Sequence, residues 1–257
     1  MGHFIRILQI GDLLIGTDKS ALLDALKEFK KRERETVDYV VVCGNLTAHG
    51  RPEEFKAVLD VLNFIRDSFY QKSAYSYNRT FFVPGASDVP RLPNGERDYS
   101  GFEWFYREFF GDLITKGRVE PFQKEAALVR SLVDLSLIGI PYFSDFTDAD
   151  SAIEEALRML DRAKPRFEDW QYAIETPTIL VSSYAALLTR DGAARIRQMA
   201  TNPGLGMDFD LHLMASPVSC ILPEPYHCEH MTVGLGPRMP SGGWSNRINL
   251  ISIRQKD

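Results

Sequence analysis

The sequence predicts one α/β domain built around a mostly parallel β-sheet. Short apolar runs alternate with longer amphipathic stretches, and the run at residues 38–43 is continuous, as in a strand buried on both faces. Helical patterns lie between successive runs, and this strand–helix–strand order favours parallel pairing through helical crossovers. The 257 residues contain no repeat, low-complexity segment or linker, so we expect a single domain over residues 1–257.

The first half of the chain alternates strands with helices. Strands are predicted at residues 4–10, 38–43 and 80–83, and helices at residues 19–34 and 52–69. In the second of these helices, Pro52 lies in the first turn, with Glu53 and Glu54 near the positive end of the helix dipole. The charge run 27–34 is more typical of a solvated helix face than of a nucleic-acid contact.

The second half contains more and shorter elements. Helices are predicted at residues 99–111, 150–163 and 192–200, and strands at residues 126–130, 132–140, 178–182, 210–214, 231–234 and 247–253. The Pro/Gly-rich stretches 222–226 and 234–243 are interpreted as long surface loops. Aromatic residues at helical spacing over residues 102–110 indicate a core helix, with an exposed partner-binding stripe as the alternative.

Composition and charge exclude several classes of protein. The net charge of −5 and the pI near 5.6 argue against non-specific nucleic-acid binding, which depends on neutralising phosphates. The odd set of Cys43, Cys220 and Cys228 predicts free thiols in a reducing compartment. No apolar stretch reaches the roughly 18 residues of a membrane span, and the N-terminus does not resemble a signal peptide. We therefore expect a cytoplasmic chain with no membrane association.

Five segments that follow predicted strands carry a family resemblance. Ligand sites of open α/β sheets lie at the carboxyl ends of the strands, so these loops are the candidate site. The segments are ILQIGDLLIG at 7–16, VVVCGNLTAHGRPEEF at 40–55, FVPGASDV at 82–89, ILVSSYAAL at 179–187 and DLHLMASPV at 210–218. In this order they resemble the motifs of the calcineurin-like metallophosphoesterases. The resemblance implies a sandwich of two mixed β-sheets flanked by helices.

The resemblance also implies a chemistry, which is phosphate-ester hydrolysis by two divalent metal ions. Such ions activate a water molecule and stabilise the attacking and leaving oxygens, and they need carboxylate and imidazole ligands. In the first three motifs, Asp12 matches a family ligand. Leu14 stands in place of a histidine, Asn45 in place of the bridging aspartate, and Ala86 in place of an asparagine. The resemblance implies a histidine at four further positions, which in this chain are Ser87, Ser183, Ser216 and Val218.

We therefore predict that both metals are lost and that no catalytic residue remains. The positions that the resemblance marks form what we call the vestigial pocket: Asp12, Leu14, Asn45, Ala86, Ser87, Asp88, Ser183, Ser216 and Val218. Asp12 and Asn45 are interpreted as turn-stabilising residues whose oxygens accept backbone N–H bonds. The alternative is that they belong to a pocket that binds an ion, a water cluster or a small polar ligand. Asp88 has no histidine to orient and is expected to brace its own turn.

Two histidine-containing features have less specific interpretations. His49 follows the second motif and is expected to be a solvated loop residue, although it could face the vestigial pocket. Cys220, His227, Cys228 and His230 are metal-capable residues at a spacing that matches no specific zinc pattern, and we interpret them as ordinary loop residues.

Three functions remain open at this point. A catalytically inactive scaffold or regulatory module would bind another protein or domain, and it predicts an exposed apolar patch away from the vestigial pocket. A ligand sensor would use the vestigial pocket as a polar cavity. A residual metal-dependent phosphodiesterase would bind metal and turn over a generic phosphodiester.

Overall fold

A computed structural model describes residues 4–11, 13–16, 18–32, 36–70, 79–124, 126–131, 135–141, 154–155, 158–159, 162, 178–182, 211–214, 226–238 and 244–255. Within these residues the chain forms two mixed β-sheets with flanking helices. This architecture confirms the predicted α/β sandwich. The single domain over residues 1–257 stays a prediction.

The first sheet has five strands in the order β3-β2-β1-β9-β8. The strands are β1 (Phe4–Gly11), β2 (Tyr39–Cys43), β3 (Thr80–Val83), β8 (Tyr226–Arg238) and β9 (Trp244–Gln255). The β1–β2 and β2–β3 pairs are parallel, whereas β9 is antiparallel to both β1 and β8. All five residues of β2 are buried, as its continuous apolar run predicted.

The second sheet has four strands in the order β4-β5-β6-β7. The strands are β4 (Leu128–Ser131), β5 (Ser136–Ile140), β6 (Thr178–Ser182) and β7 (Leu211–Met214). The β4–β5 pair is antiparallel, and β5, β6 and β7 run parallel to one another. The two sheets contact each other where β3 meets β5. A Cβ atom at Gly139 on β5 would lie 2.7 Å from Val83 Cγ2, so this glycine permits the close approach.

Among the described residues, the helices with defined bounds are α1 (Ser20–Arg32), α2 (Pro52–Phe69) and α3 (Ser100–Thr115), and they flank the sheets. Helix α2 begins and ends where the sequence predicted. Helix α3 runs four residues beyond the predicted end at Gly111. Its end is set by Gly117, whose φ of 65° lies in the left-handed region. Arg118 N donates to the Leu113 carbonyl and Gly117 N to the Ile114 carbonyl, a Schellman motif that satisfies the last carbonyl groups.

The aromatic residues of α3 form the centre of the core. Phe102, Phe105 and Phe110 are each at most 1% exposed, and all three rings surround Phe82 of β3. The centroid distance is 4.9 Å from Phe82 to Phe105 and 5.0 Å from Phe82 to Phe110. The prediction of a core helix is therefore confirmed, and the alternative of an exposed aromatic stripe is wrong for these residues.

Several predicted boundaries need correction in the C-terminal part. Strand β8 covers residues 226–238, so Tyr226 and the beginning of the stretch 234–243 are not loop residues. His227, Cys228 and His230 lie on this strand and not in a loop, and Cys220 lies outside the described residues. The predicted helix 192–200 also lies outside them. In the predicted helix 150–163, only residues 154–155, 158–159 and 162 are described, and they are helical.

No helix among the residues described is both long and apolar enough to cross a bilayer.

Candidate functional site

The loops that follow β1 and β2 are joined by backbone hydrogen bonds. Leu14 N donates to the Asn45 carbonyl over 3.0 Å, and Ile15 N donates to the Leu46 carbonyl over 2.9 Å. The Ala48 amide completes the set by donating to the Ile15 carbonyl over 3.0 Å. These bonds extend the parallel pairing of β1 and β2 past the sheet edge, so the first two motif segments lie side by side.

The loop that follows β3 joins the same cluster through side chains. Asn45 Oδ1 accepts a hydrogen bond from Ser87 N over 2.9 Å, and Ser87 Oγ donates to the Thr47 carbonyl over 2.5 Å. The first three motif segments therefore meet at one edge of the sheet. Asn45 accepts a backbone N–H bond as the sequence predicted, but the amide belongs to the loop after β3 and not to its own turn.

Asp88 lies beneath this cluster and is fully buried. Its carboxylate accepts hydrogen bonds from four groups: Leu46 N at 3.0 Å, Thr47 N at 2.8 Å, Thr47 Oγ1 at 2.7 Å and Gly85 N at 2.9 Å. Burial raises the pKa of Asp88 to about 6, although these hydrogen bonds act in the opposite direction. Asp88 thus ties the loop after β2 to the loop after β3, which confirms its expected role as a turn brace.

Gly85 allows these two loops to approach each other. A Cβ atom at this position would lie 2.2 Å from Asn45 Oδ1 and 2.6 Å from Asn45 N, far inside van der Waals contact. The glycine of the third motif is therefore needed for a steric reason that is independent of any metal.

Leu14 is the one described non-glycine residue with a positive φ, at 45°. A left-handed conformation costs a branched aliphatic residue roughly 1–2 kcal/mol. Its side chain is also 48% exposed. The position where the family has a histidine ligand therefore holds an exposed aliphatic side chain on a strained backbone.

Glu54 and His49 form a pair that the sequence did not predict. Glu54 is 2% exposed, and its carboxylate accepts hydrogen bonds from His49 N, Arg51 N and the His49 ring Nδ1, at 2.8, 3.2 and 2.8 Å. Burial opposes ionisation of Glu54, but these hydrogen bonds together outweigh it and lower its pKa. The sequence signal was available, because Glu54 is the third residue of α2 and can accept bonds from the free amides at its N-terminus.

The His49 side chain is 63% exposed, so the expectation of a solvated loop histidine is confirmed. Its ring reaches back to the start of α2 through Glu54. The pair therefore anchors the loop after β2 to the helix that follows it.

Five of the nine positions of the vestigial pocket fall within the described residues: Leu14, Asn45, Ala86, Ser87 and Asp88. The hydrogen bonds above bring them together at one sheet edge. Asp12, Ser183, Ser216 and Val218 lie outside the described residues. Their part in the vestigial pocket stays a prediction.

The described donor set does not fit a two-metal centre. Leu14 and Ala86 have no lone pair to offer, Asn45 Oδ1 already accepts a backbone hydrogen bond, and Asp88 is buried beneath the loops. Within the part of the chain that the structure describes, no three His, Cys, Asp or Glu side chains gather closely enough to hold a metal ion. We therefore derive no catalytic step through metals at this site.

The family model for calcineurin-like phosphoesterases matches residues 5–170, which is more than half of the chain. The chain therefore belongs to the calcineurin-like phosphoesterase family. A comparison with curated proteins gave no significant match.

Proposed function

We propose that this chain is a catalytically inactive member of its family that acts as a protein-interaction scaffold or regulatory module. It would keep the phosphoesterase fold while binding another protein or another domain of a larger assembly. The partner we propose is neither a membrane nor a nucleic acid. A chain that is acidic overall lacks the positive charge that neutralises nucleic-acid phosphates.

The observation that carries the proposal is the way the polar atoms of the vestigial pocket are used. Asn45 Oδ1 accepts the Ser87 amide, Ser87 Oγ donates to the Thr47 carbonyl, and the Asp88 carboxylate accepts hydrogen bonds from four groups around it. These groups hold loops together and leave few lone pairs for a ligand. In an active site the same positions would present oxygen and nitrogen donors to the metals.

Charge supports the same conclusion. Two divalent cations bring about +4 of charge, which a site must offset with several ionised ligands. A neutral amide at position 45 and a hydrocarbon at position 14 contribute none. Losing even one group that hydrogen-bonds to a metal ligand typically costs about 10–100-fold in metal affinity or activity. The loss of several direct ligands would therefore abolish metal binding.

The proposal is tested by metal analysis combined with a phosphodiesterase assay. The purified 257-residue chain should contain no stoichiometric manganese, iron or zinc. It should hydrolyse bis(p-nitrophenyl) phosphate in added Mn²⁺ no faster than an enzyme-free blank. Asp12→Ala tests the one unaltered ligand position, and Asp24→Ala removes an exposed carboxylate of α1 as the matched control.

Stoichiometric metal together with turnover that is lost in Asp12→Ala and kept in Asp24→Ala would overturn the proposal. That result would establish the residual phosphodiesterase instead. Absence of both metal and turnover in all three proteins is the expected outcome.

A further inference from the structure

The imidazole of His49 is oriented by a buried carboxylate at the start of α2. The ring Nδ1 lies 2.8 Å from Glu54 Oε1, while Glu54 Oε2 accepts hydrogen bonds from His49 N and Arg51 N at 2.8 and 3.2 Å. The Glu54 side chain is 3% exposed, whereas the His49 side chain is 63% exposed. A carboxylate fixed inside the protein therefore holds a ring that is open to solvent.

Glu54 determines which ring nitrogen of His49 carries the proton. Burial opposes ionisation of Glu54, but its hydrogen bonds outweigh burial and lower its pKa, so at neutral pH it can only accept hydrogen bonds. Nδ1 must therefore carry the proton and donate it to Oε1. The lone pair of the neutral ring then lies on Nε2, away from the carboxylate. Among the described residues, the ring hydrogen-bonds to Glu54 alone.

A carboxylate on one imidazole nitrogen makes the other nitrogen a better nucleophile. It offsets the positive charge that the ring gains when Nε2 forms a bond, as in histidine–carboxylate pairs of catalytic sites. The helix cap does not explain the imidazole, because Oε2 alone accepts the two backbone amides and any N–H or O–H donor could satisfy Oε1. What the imidazole adds to the cap is a reactive nitrogen at the surface.

The surroundings of His49 limit what this nitrogen can do. No three His, Cys, Asp or Glu side chains gather within the part of the chain that the structure describes, so the ring has no co-ligands for a metal ion. The open surface around an exposed ring does not enclose a small substrate, as base catalysis requires. Reaction of Nε2 itself with an incoming electrophile needs neither. A phosphoryl group there would have the exposed Arg51 on the same turn to pair with its oxygens.

We propose that His49 is a phosphoryl-acceptor site, whose Nε2 takes a phosphoryl group from a donor with a phosphorus–nitrogen bond, the class that includes phosphohistidine. The Nε2 lone pair attacks phosphorus and a P–Nε2 bond forms. The bond from phosphorus to the leaving nitrogen breaks, and its electron pair goes to the leaving group. The Nδ1 proton stays hydrogen-bonded to Glu54, which offsets the charge of the phosphorylated ring. The inference goes beyond the proposed function and does not rest on it, since neither residue belongs to the vestigial pocket.

The test uses the 257-residue chain with phosphoramidate as the phosphoryl donor, at neutral pH and in EDTA. Attack on phosphoramidate releases ammonia, which leaves with the electron pair of the broken P–N bond. Phosphorus NMR distinguishes phosphorylation at Nε2 from that at Nδ1, and peptide mass spectrometry locates the modified residue. N-acetylhistidine in the same solution is the reference without a carboxylate. We expect His49 to be phosphorylated at Nε2, about tenfold or more faster than the reference.

Glu54→Gln reverses the tautomer while keeping the cap. Its amide oxygen must accept the His49 and Arg51 backbone amides, so its N–H₂ group faces the ring and donates to Nδ1. Nε2 then carries the proton, and the rate should fall to that of the reference. Glu53→Gln neutralises the neighbouring exposed carboxylate and should leave the rate unchanged. His49→Asn places an N–H₂ group where the ring has Nδ1, so it should keep the thermal midpoint and lose the modification.

Four results would overturn the inference: a rate at His49 no faster than the reference, attachment at Nδ1, an unchanged rate in Glu54→Gln, or an equal fall in Glu53→Gln. If Glu54→Gln does not fold, the isomer and the rate of the wild-type chain against N-acetylhistidine still decide. Failure of this test leaves the proposed function standing, because the vestigial pocket takes no part in the reaction. Metal-dependent turnover would overturn the proposed function without affecting phosphorylation in EDTA.

Discussion

Asp88 is a carboxylate held inside the protein by groups that all donate hydrogen bonds to it. Leu46 N, Thr47 N, Thr47 Oγ1 and Gly85 N point at its two oxygens. An asparagine at this position would place an N–H₂ group against at least one of these donors. A buried donor without an acceptor costs about 1–3 kcal/mol.

We therefore expect Asp88→Asn to lower the free energy of unfolding by about 2 kcal/mol or more at neutral pH. Denaturant unfolding followed by circular dichroism measures this change. Asp24→Asn removes an exposed carboxylate of α1 and should stay within about 0.5 kcal/mol of the wild type. An Asp88→Asn variant as stable as the wild type would show that the carboxylate does not brace the loops.

The size of this loss should depend on pH in a defined direction. Burial raises the pKa of Asp88 from 3.8 to about 6, so between these values the folded state holds a proton that the unfolded state has released. The contribution of this proton to the free energy of unfolding is fully present below the pKa that Asp88 has in the unfolded state. It is lost as the pH rises through the pKa that Asp88 has in the folded state. The loss is about 3 kcal/mol, from two pKa units at 1.36 kcal/mol each. The difference in the free energy of unfolding between wild type and Asp88→Asn should therefore become smaller from about pH 4 to about pH 7. A difference that becomes larger over this range contradicts the raised pKa.

Gly85 lies where the loops after β2 and β3 approach each other most closely. Because a Cβ atom would lie 2.2 Å from Asn45 Oδ1, Gly85→Ala must push the two loops apart, and we expect a loss of about 1–3 kcal/mol in the free energy of unfolding. Gly16→Ala is the matched control, since a Cβ atom there would meet nothing within 4 Å. Equal thermal unfolding of the two variants would contradict the steric role of Gly85.

Arg130 links the two sheets. It lies on β4 and is 6% exposed, and its Nη1 donates to the Thr80 carbonyl of β3 over 2.5 Å. The guanidinium stacks over the Phe110 ring at 4.4 Å. Burial lowers its pKa, although Tyr106 and Tyr70 act in the opposite direction. The side chain therefore serves as a hydrogen-bond donor and a flat packing surface between β3, β4 and α3.

Removing this link should cost more than removing an exposed arginine. We expect Arg130→Ala to lower the free energy of unfolding by roughly 3 kcal/mol, because it leaves a cavity and a carbonyl without its donor. Arg130→Lys should cost less but remain destabilising, since an ammonium group cannot stack as the planar guanidinium does. Arg107→Ala on α3 is the exposed control, expected within about 0.5 kcal/mol. Calorimetric unfolding of the three variants gives the order, and an Arg130→Ala variant that unfolds with the control would exclude the link.

The elements also show how far sequence patterns reach. Helix α2 was predicted to the residue because Pro52 marks its first turn and its apolar face is regular. Strand β8 was predicted too short because its Gly and Pro residues are typical of loops, whereas an antiparallel strand at a sheet edge tolerates them. The predicted end of α3 at Gly111 was wrong because the true end depends on hydrogen bonds around Gly117, and a sequence does not reveal which of two glycines adopts a positive φ.

The sequence also predicts only part of the candidate site. The positions of Asn45, Ser87 and Asp88 at one sheet edge could be predicted, because parallel strands place their carboxyl ends together. The strained backbone of Leu14 could not be predicted, because it depends on contacts between loops. The bonds from the His49 region to Glu54 had a sequence signal, the acidic third residue of α2, which the motif comparison missed.

The two sheets and the flanking helices form the family fold, and hydrogen bonds join the described loops of the vestigial pocket to one another. The backbone bond from Leu14 to Asn45, the Asn45–Ser87 bond and the buried Asp88 carboxylate join these loops through the chain's own hydrogen bonds. Folding should therefore not depend on a metal ion. This expectation concerns the stability of the entire chain and can be measured without knowing any substrate or partner.

We expect the thermal midpoint of unfolding to be the same in excess Mn²⁺, in excess Zn²⁺ and in EDTA. An ion that binds the folded chain stabilises it by about 2.7 kcal/mol when present at 100 times its dissociation constant. For a chain of this size such a gain raises the midpoint by roughly 5–10 °C, well above the error of a calorimetric scan. A midpoint that rises with Mn²⁺ in the wild type and not in Asp12→Ala would show that a metal still binds at the old position. A rise of equal size in both proteins would place the ion elsewhere, and a constant midpoint agrees with a fold that its own loops hold together.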